Sequence, residues 1–70
     1  MNYESQNNTI HAHLIKFGSI TSIQAIRLYT ITRLSARIMN LRDRGVLIAS
    51  EIEYDQFNKA RHWARYTLKK

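Results

Sequence analysis

Two glycines and the lack of proline constrain the fold of this chain more than any other sequence feature. Gly18 and Gly45 are the only glycines among its 70 residues, and glycine readily adopts the left-handed backbone that ends a helix. Before Gly45 the apolar residues recur at helical spacing, and after it they alternate with polar ones. The chain therefore predicts helices followed by a β-hairpin, in a single α+β domain over residues 1–70.

The segment before Gly18 predicts one helix over about residues 6–17. Three apolar residues share one helix face at i, i+4 and i+7: Ile10, Leu14 and Phe17. Three polar residues can cap its start: Ser5, Asn7 and Asn8. Residues 1–5 are expected to form a flexible N-terminus, and residues 69–70 a flexible tail.

The segment between the glycines predicts a helix-turn-helix. A short extended piece at residues 19–20 is available as a third strand. Thr21 and Gln24 have the spacing of a capping box, which opens a helix over about residues 22–28. Residues 29–31 form a connector, because their aromatic and β-branched side chains favour a helix poorly.

Residues 32–44 predict the second helix of this pair, with Thr32 as its cap. Three residues at i, i+4 and i+7 form the buried stripe: Leu34, Ile38 and Leu41. At 100° per residue, four others form a basic flank that faces away from the core: Arg33, Arg37, Asn40 and Arg44. The face opposite the stripe is small, polar or flexible: Thr32, Ala36, Met39 and Asp43.

The charge of the chain favours a polyanionic partner. Its net charge is +6, and residues 32–70 hold nine basic against four acidic residues. A localised positive field attracts nucleic acid first, although many basic proteins bind no polyanion. Arginine pairs with guanine and asparagine with adenine in the major groove, so the basic flank suits a DNA-reading helix. The interpretation as an ordinary solvated helix remains an alternative. A membrane-surface helix would need a broader apolar face than this one has.

After Gly45, two alternating runs predict a β-hairpin. The strands span residues 46–54 and 61–68, joined by a short polar loop from Asp55 to Lys59. Basic and aromatic residues gather near this loop: Phe57, Lys59, Arg61, His62, Trp63 and Arg65. Such a loop can reach backbone phosphates or a minor groove. For Trp63, plain packing or a dimer contact explains the residue as well as a nucleic-acid contact does.

The order of helix, strand, two helices and hairpin is that of the winged helix-turn-helix family. The stretch "GSITSIQAIRLYTITRLSARIMNLRDRG" followed by "ARYTL" resembles small phage and prophage members that bind DNA. The resemblance covers about residues 10–68 and implies a three-helix bundle with a hairpin wing. It implies binding of double-stranded DNA through the third helix, with Thr32, Arg33, Ser35, Ala36, Arg37, Asn40 and Arg44. On the wing it implies contacts from Lys59, Arg61, His62, Trp63 and Arg65, although the loop lacks the glycine common at wing tips.

The sequence thus favours a small DNA-binding protein, a phage-type transcriptional regulator or an excision or recombination accessory factor. The alternative is a winged helix that binds and inhibits a host protein, favoured by Phe57 and Trp63, because aromatic residues anchor interfaces. A specific regulator is expected to act as a homodimer or in a tandem array. The first helix and Trp63 are the candidate contacts.

Neither enzymatic activity nor a cofactor is expected. His11 and His13 lie on different faces of the first helix, so they form no metal pair, and no glycine-rich phosphate loop occurs. No apolar run approaches the roughly 20 residues that span a bilayer, and the start of the chain does not resemble a signal peptide. We expect a protein of the bacterial cytoplasm or nucleoid with no membrane partner.

Overall fold

The computed structural model describes residues 3–69. Its elements follow one another in this order: α1 (Tyr3–Phe17), β1 (Ser19–Thr21), α2 (Ser22–Tyr29), α3 (Leu34–Asp43), β2 (Ile48–Tyr54) and β3 (His62–Leu68). The strands form one antiparallel sheet in the order β1-β3-β2. The predicted α+β fold of three helices and a C-terminal hairpin is confirmed, and so is the third strand at residues 19–20.

The first helix is longer than predicted. It begins at Tyr3 rather than near residue 6, so residues 3–5 are helical rather than a flexible terminus. Residues 1–2 and Lys70, which belong to the expected flexible ends, lie outside the described residues. Lys69 donates its backbone N–H to the carbonyl of Leu47 at 2.8 Å.

The buried face of α1 contains Asn7, Ile10, His13 and Leu14. Phe17, predicted to join this face, is 61% exposed. It is the last residue of the helix, and its ring lies at the rim of the core, 4.7 Å from the ring of His13. Gly18 then turns the chain into β1 with a φ of +87°, which confirms the predicted helix end.

The capping box at the start of α2 is confirmed. Thr21 Oγ1 accepts from the backbone N–H of Gln24 at 3.3 Å, and Gln24 Oε1 accepts from the backbone N–H of Thr21 at 3.0 Å. A helix of eight residues is unstable alone, and α2 docks through Ala25, which is fully buried. Thr30, in the left-handed conformation with a φ of 58°, ends it.

The third helix is shorter than predicted. It begins at Leu34, and its N-cap is Arg33 rather than Thr32, with no side-chain hydrogen bond at the cap. The predicted buried stripe is confirmed, because three residues are at most 2% exposed: Leu34, Ile38 and Leu41. Gly45, with a φ of +92°, follows the helix as predicted.

The sheet closes the core at one end and extends beyond it at the other. Ile20 pairs with Tyr66, and Ile48 pairs with Leu68, on the face that packs against the helices. The hairpin continues past this region as a wing, residues 51–65, where Ile52 is 54% exposed. The wing therefore projects from the body of the domain.

The wing loop closes without glycine. Asp55 Oδ1 accepts from the backbone N–H groups of Phe57 and Asn58 at 2.8 and 3.2 Å. Asn58 Oδ1 accepts from the backbone N–H of Ala60 at 3.1 Å. Asp and Asn side chains stabilise turns in this way by replacing backbone hydrogen bonds, so the loop has a defined shape.

Candidate nucleic-acid interface

The basic flank predicted for α3 packs largely against α1. Arg37 is only 6% exposed. Its Nη1 donates to Gln6 Oε1 at 3.1 Å, and its guanidinium carbon lies 4.3 Å from the centre of the Tyr3 ring. The prediction that Arg37 faces away from the core was therefore wrong, because α1 reaches further toward the N-terminus than the sequence pattern indicated.

Asn40 and Arg44 also contact α1. Asn40 Nδ2 donates to Asn7 Oδ1 at 3.4 Å, and Arg44 Nη1 donates to Glu4 Oε1 at 2.8 Å, with Nη2 bonded to the other carboxylate oxygen. The hydrogen bond from Arg44 lowers the pKa of Glu4, and that carboxylate raises the pKa of Arg44. Seven residues thus form what we call the α1–α3 seam: Tyr3, Glu4, Gln6, Asn7, Arg37, Asn40 and Arg44.

The two other arginines near α3, Arg42 and Arg33, differ in whether their side chains have a partner. Arg42 donates from Nε and Nη2 to the carbonyl oxygen of Ile48, at 3.1 and 2.8 Å, and so ties α3 to β2. Arg33 is exposed, and its guanidinium makes no hydrogen bond or ion pair with another residue in the range 3–69. Arg33 is therefore the guanidinium of α3 that is available to a ligand.

The side of α3 that lies opposite its buried stripe carries little charge. Its N-terminal half presents a shallow depression of about 360 Å³. Four residues line it: Arg33, Ser35, Ala36 and Met39. Thr32 is exposed just before the helix, and Asp43 is exposed at its other end. The site prediction left out Met39 and Asp43, although the helical spacing had already placed both opposite the core.

The predicted wing residues divide into two groups. Lys59, Arg61 and His62 are exposed, and the His62 ring lies 5.9 Å from that of Tyr54. Trp63 and Arg65 are half-buried and point to the sheet face that lies away from the helices. Lys59, Arg61 and His62 are therefore available to a ligand, while Trp63 and Arg65 stabilise the structure of the wing.

Glu53 holds the half-buried pair in place. Trp63 Nε1 donates to Glu53 Oε1 at 2.8 Å, and Arg65 Nε donates to Glu53 Oε2 at 2.9 Å. Arg65 Nη1 also donates to Ser19 Oγ at 3.0 Å, which joins the wing to β1. The hydrogen bonds from Trp63 and then Arg65 lower the pKa of the Glu53 carboxyl, so this clamp is a carboxylate at neutral pH.

A groove separates the start of α2 from the wing. Its volume is about 510 Å³. Six residues line it: Ile23, Asp55, Ala60, Arg61, His62 and Trp63. Three predicted DNA-contacting residues therefore border a concave surface beside the helix-turn-helix: Arg61, His62 and Trp63.

The histidines of α1 are not arranged as metal ligands. His13 is buried, and its Nδ1 lies 2.8 Å from the hydroxyl oxygen of Tyr29. Burial lowers the pKa of His13, and a hydrogen bond to the Ser19 backbone partly opposes this effect. Over residues 3–69 no group of three or more His, Asp or Glu side chains is placed to hold a metal ion. None of the helices in this range is long and apolar enough to span a bilayer.

The pair α2–α3, a projecting hairpin and exposed cations on both elements define a winged helix-turn-helix protein. A family model described as a winged helix-turn-helix domain matches residues 5–70, and the chain belongs to this family. Membership suggests DNA binding. Comparisons with curated proteins and with solved structures found no significant match.

Proposed function

We propose that this protein binds double-stranded DNA, with the N-terminal half of α3 in the major groove and the wing on the backbone or in the minor groove. The observation that carries this proposal is the open surface formed by Arg33, Ser35, Ala36 and Met39, which no other element within residues 3–69 covers. Small side chains there allow close approach to the bases. The net charge of +6 supplies the attraction to phosphate.

The proposed contacts come from seven of the twelve predicted residues. Seven exposed or partly exposed residues would touch DNA: Thr32 and Arg33 just before the first turn of α3, Ser35 and Ala36 on α3, and Lys59, Arg61 and His62 on the wing. Arg37, Asn40 and Arg44 would act indirectly, because the α1–α3 seam fixes how α3 is presented. Trp63 and Arg65 would act through the rigidity of the wing.

The biological role that we propose is that of a phage-type transcriptional regulator, or of an excision or recombination accessory factor, in the bacterial cytoplasm or nucleoid. One α3 helix reads only a short site, so a homodimer or a tandem array on DNA would supply the specificity that a regulator needs. No catalytic step is part of this proposal.

Affinity selection from random duplex DNA, followed by titration at several salt concentrations, tests the proposal. Arg33→Met and Arg37→Met make the same chemical change, one on the exposed face and one in the seam. We expect Arg33→Met to relax base preference and Arg37→Met to preserve it. Lys59→Ala and Arg61→Ala should weaken all sequences alike, each lowering the log–log salt slope by about 0.9. Lack of binding to any duplex at low salt would refute the proposal.

A second candidate function, inhibition of a host protein, is favoured by Phe57. This side chain is 89% exposed at the wing tip, and exposed aromatic residues often anchor protein interfaces. The host-protein hypothesis predicts a nuclease-resistant complex that Phe57→Ser abolishes. Under the DNA hypothesis, Phe57→Ser leaves base preference unchanged.

A further inference from the structure

We propose that α3 selects its DNA site chiefly through the methyl groups of thymine, with a single guanine contact from Arg33 at one end. This inference rests on the proposed DNA binding and specifies the bases that the helix reads. It contrasts with the sequence pattern, which favoured several arginine–guanine contacts and an asparagine–adenine contact.

The usual hydrogen-bonding readers on α3 are already occupied within the chain. Arg37 is buried against α1, Arg42 bonds the carbonyl of Ile48, and Arg44 pairs with Glu4. The amide of Asn40 donates to Asn7. To read a base, any of these side chains would have to give up a contact that orients α3. They are therefore poorly suited to bidentate readout of guanine or adenine.

The surface that remains is largely apolar. Met39 is 63% exposed and shares a depression with Ala36 and Ser35. In the major groove, the apolar feature that distinguishes one base from the others is the C5-methyl group of thymine. Alanine contacts this methyl directly, and the flexible thioether side chain of methionine adapts to it.

The spacing of the three readers defines the expected motif. Arg33, Ala36 and Met39 follow one another at intervals of three residues, so they span about 9 Å along the helix axis. That length corresponds to about three base-pair steps of 3.4 Å. We therefore expect a guanine opposite Arg33, followed within about three steps by thymines opposite Ala36 and Met39.

Asp43 fixes which end of α3 enters the groove. It is exposed, on the same side as Met39 and about one turn further along. A carboxylate there repels phosphates, so the C-terminal end of the helix stays outside. This leaves the half from Arg33 to Met39 as the reading surface.

The test replaces thymine by deoxyuridine, which removes only the methyl group. With the selected duplex and the wild-type protein, each replacement within the α3 footprint should weaken binding about threefold to fourfold, the value for one buried methyl. Deoxyuridine at thymines outside the footprint should change nothing. Because the change is made in the DNA, folding of the protein does not affect this comparison.

A protein variant then assigns the effect to a side chain. Met39→Ala should remove the penalty at one of the two thymine positions. Leu47→Ala, which also shortens an exposed apolar side chain at 67% exposure but lies outside α3, should keep both penalties. If the protein binds DNA but deoxyuridine within the footprint costs nothing, this inference is overturned and the proposed function stands. If the protein binds no duplex, both this inference and the proposed function fail.

Discussion

The guanidinium carbon of Arg37 lies 4.3 Å from the centre of the Tyr3 ring, across the boundary between α3 and α1. No carboxylate lies within ion-pair distance of Arg37 among residues 3–69, and its Nε is buried there without a hydrogen-bond partner. Stacking on Tyr3 and one bond to Gln6 are what stabilise this cation. An arginine that the sequence predicted to read DNA is thus part of the helix packing.

This relationship predicts that the aliphatic part of Arg37 matters more to stability than its charge. Arg37→Met keeps most of the buried volume and removes the unsatisfied Nε, so the free energy of unfolding should stay within about 1 kcal/mol of the wild type. Arg37→Ala leaves a cavity and should cost about 2 kcal/mol or more. Urea unfolding monitored by circular dichroism measures both. Equal losses in the two variants would show that the charge itself is required.

His13 predicts a pH dependence of stability near neutrality. Burial lowers its pKa in the folded state, so the unfolded chain binds the proton more readily. The contribution of His13 is therefore full well above the ordinary histidine pKa of about 6.5, and stability falls as the pH drops through that value. His13→Gln should remove this decline between about pH 7.5 and 5.5 in urea unfolding. A decline of the same size in the variant would assign it to other groups.

The Glu53 clamp predicts a spectroscopic transition in acid. Trp63 is the only tryptophan of the chain, so its fluorescence reports on this site alone. Because the pKa of Glu53 is lowered, the clamp persists below the ordinary glutamate pKa of about 4.3. It is lost only as the pH falls through the lower folded value. The Trp63 emission should follow this loss, and Glu53→Gln should show no such transition.

Asp43 predicts a gain in DNA affinity on neutralisation. It is exposed on the same side of α3 as the proposed reading surface, where its charge opposes phosphate. Asp43→Asn should raise affinity about twofold for all sequences, as expected for one charge at about 8–10 Å in water. Glu51→Gln makes a comparable change on the exposed outer face of the wing and should have a smaller effect. The comparison is made by fluorescence anisotropy at low salt.

Local patterns in the sequence were sufficient to predict the elements and the family. Gly18 and Gly45 both adopt positive φ at helix ends, and Thr21 with Gln24 forms the expected capping box. The alternation after Gly45 predicted both strands of the hairpin. These features depend on residues close together in the chain, so short-range rules are enough to predict them.

The candidate site was predicted less well, because it depends on how α1 lies against α3. The helical spacing of α3 correctly placed the core stripe and the basic flank at different angles around the helix axis. It carried no information on which neighbouring element covers that flank. The covering residues are polar, and Tyr3 and Asn7 continue the face of Ile10 upstream at helical spacing. A pattern built on apolar residues alone overlooked them.

The sequence by itself determined where helices and strands begin and end to within a few residues, which side of α3 enters the core, and the positive charge of the chain. Only the tertiary structure decided what the arginines do. Arg37 and Arg44 reach α1, Arg42 reaches β2, and Arg33 remains exposed. The four side chains are chemically identical, so their roles follow from the groups that packing brings within hydrogen-bond distance, and those groups lie up to 40 positions away in the chain.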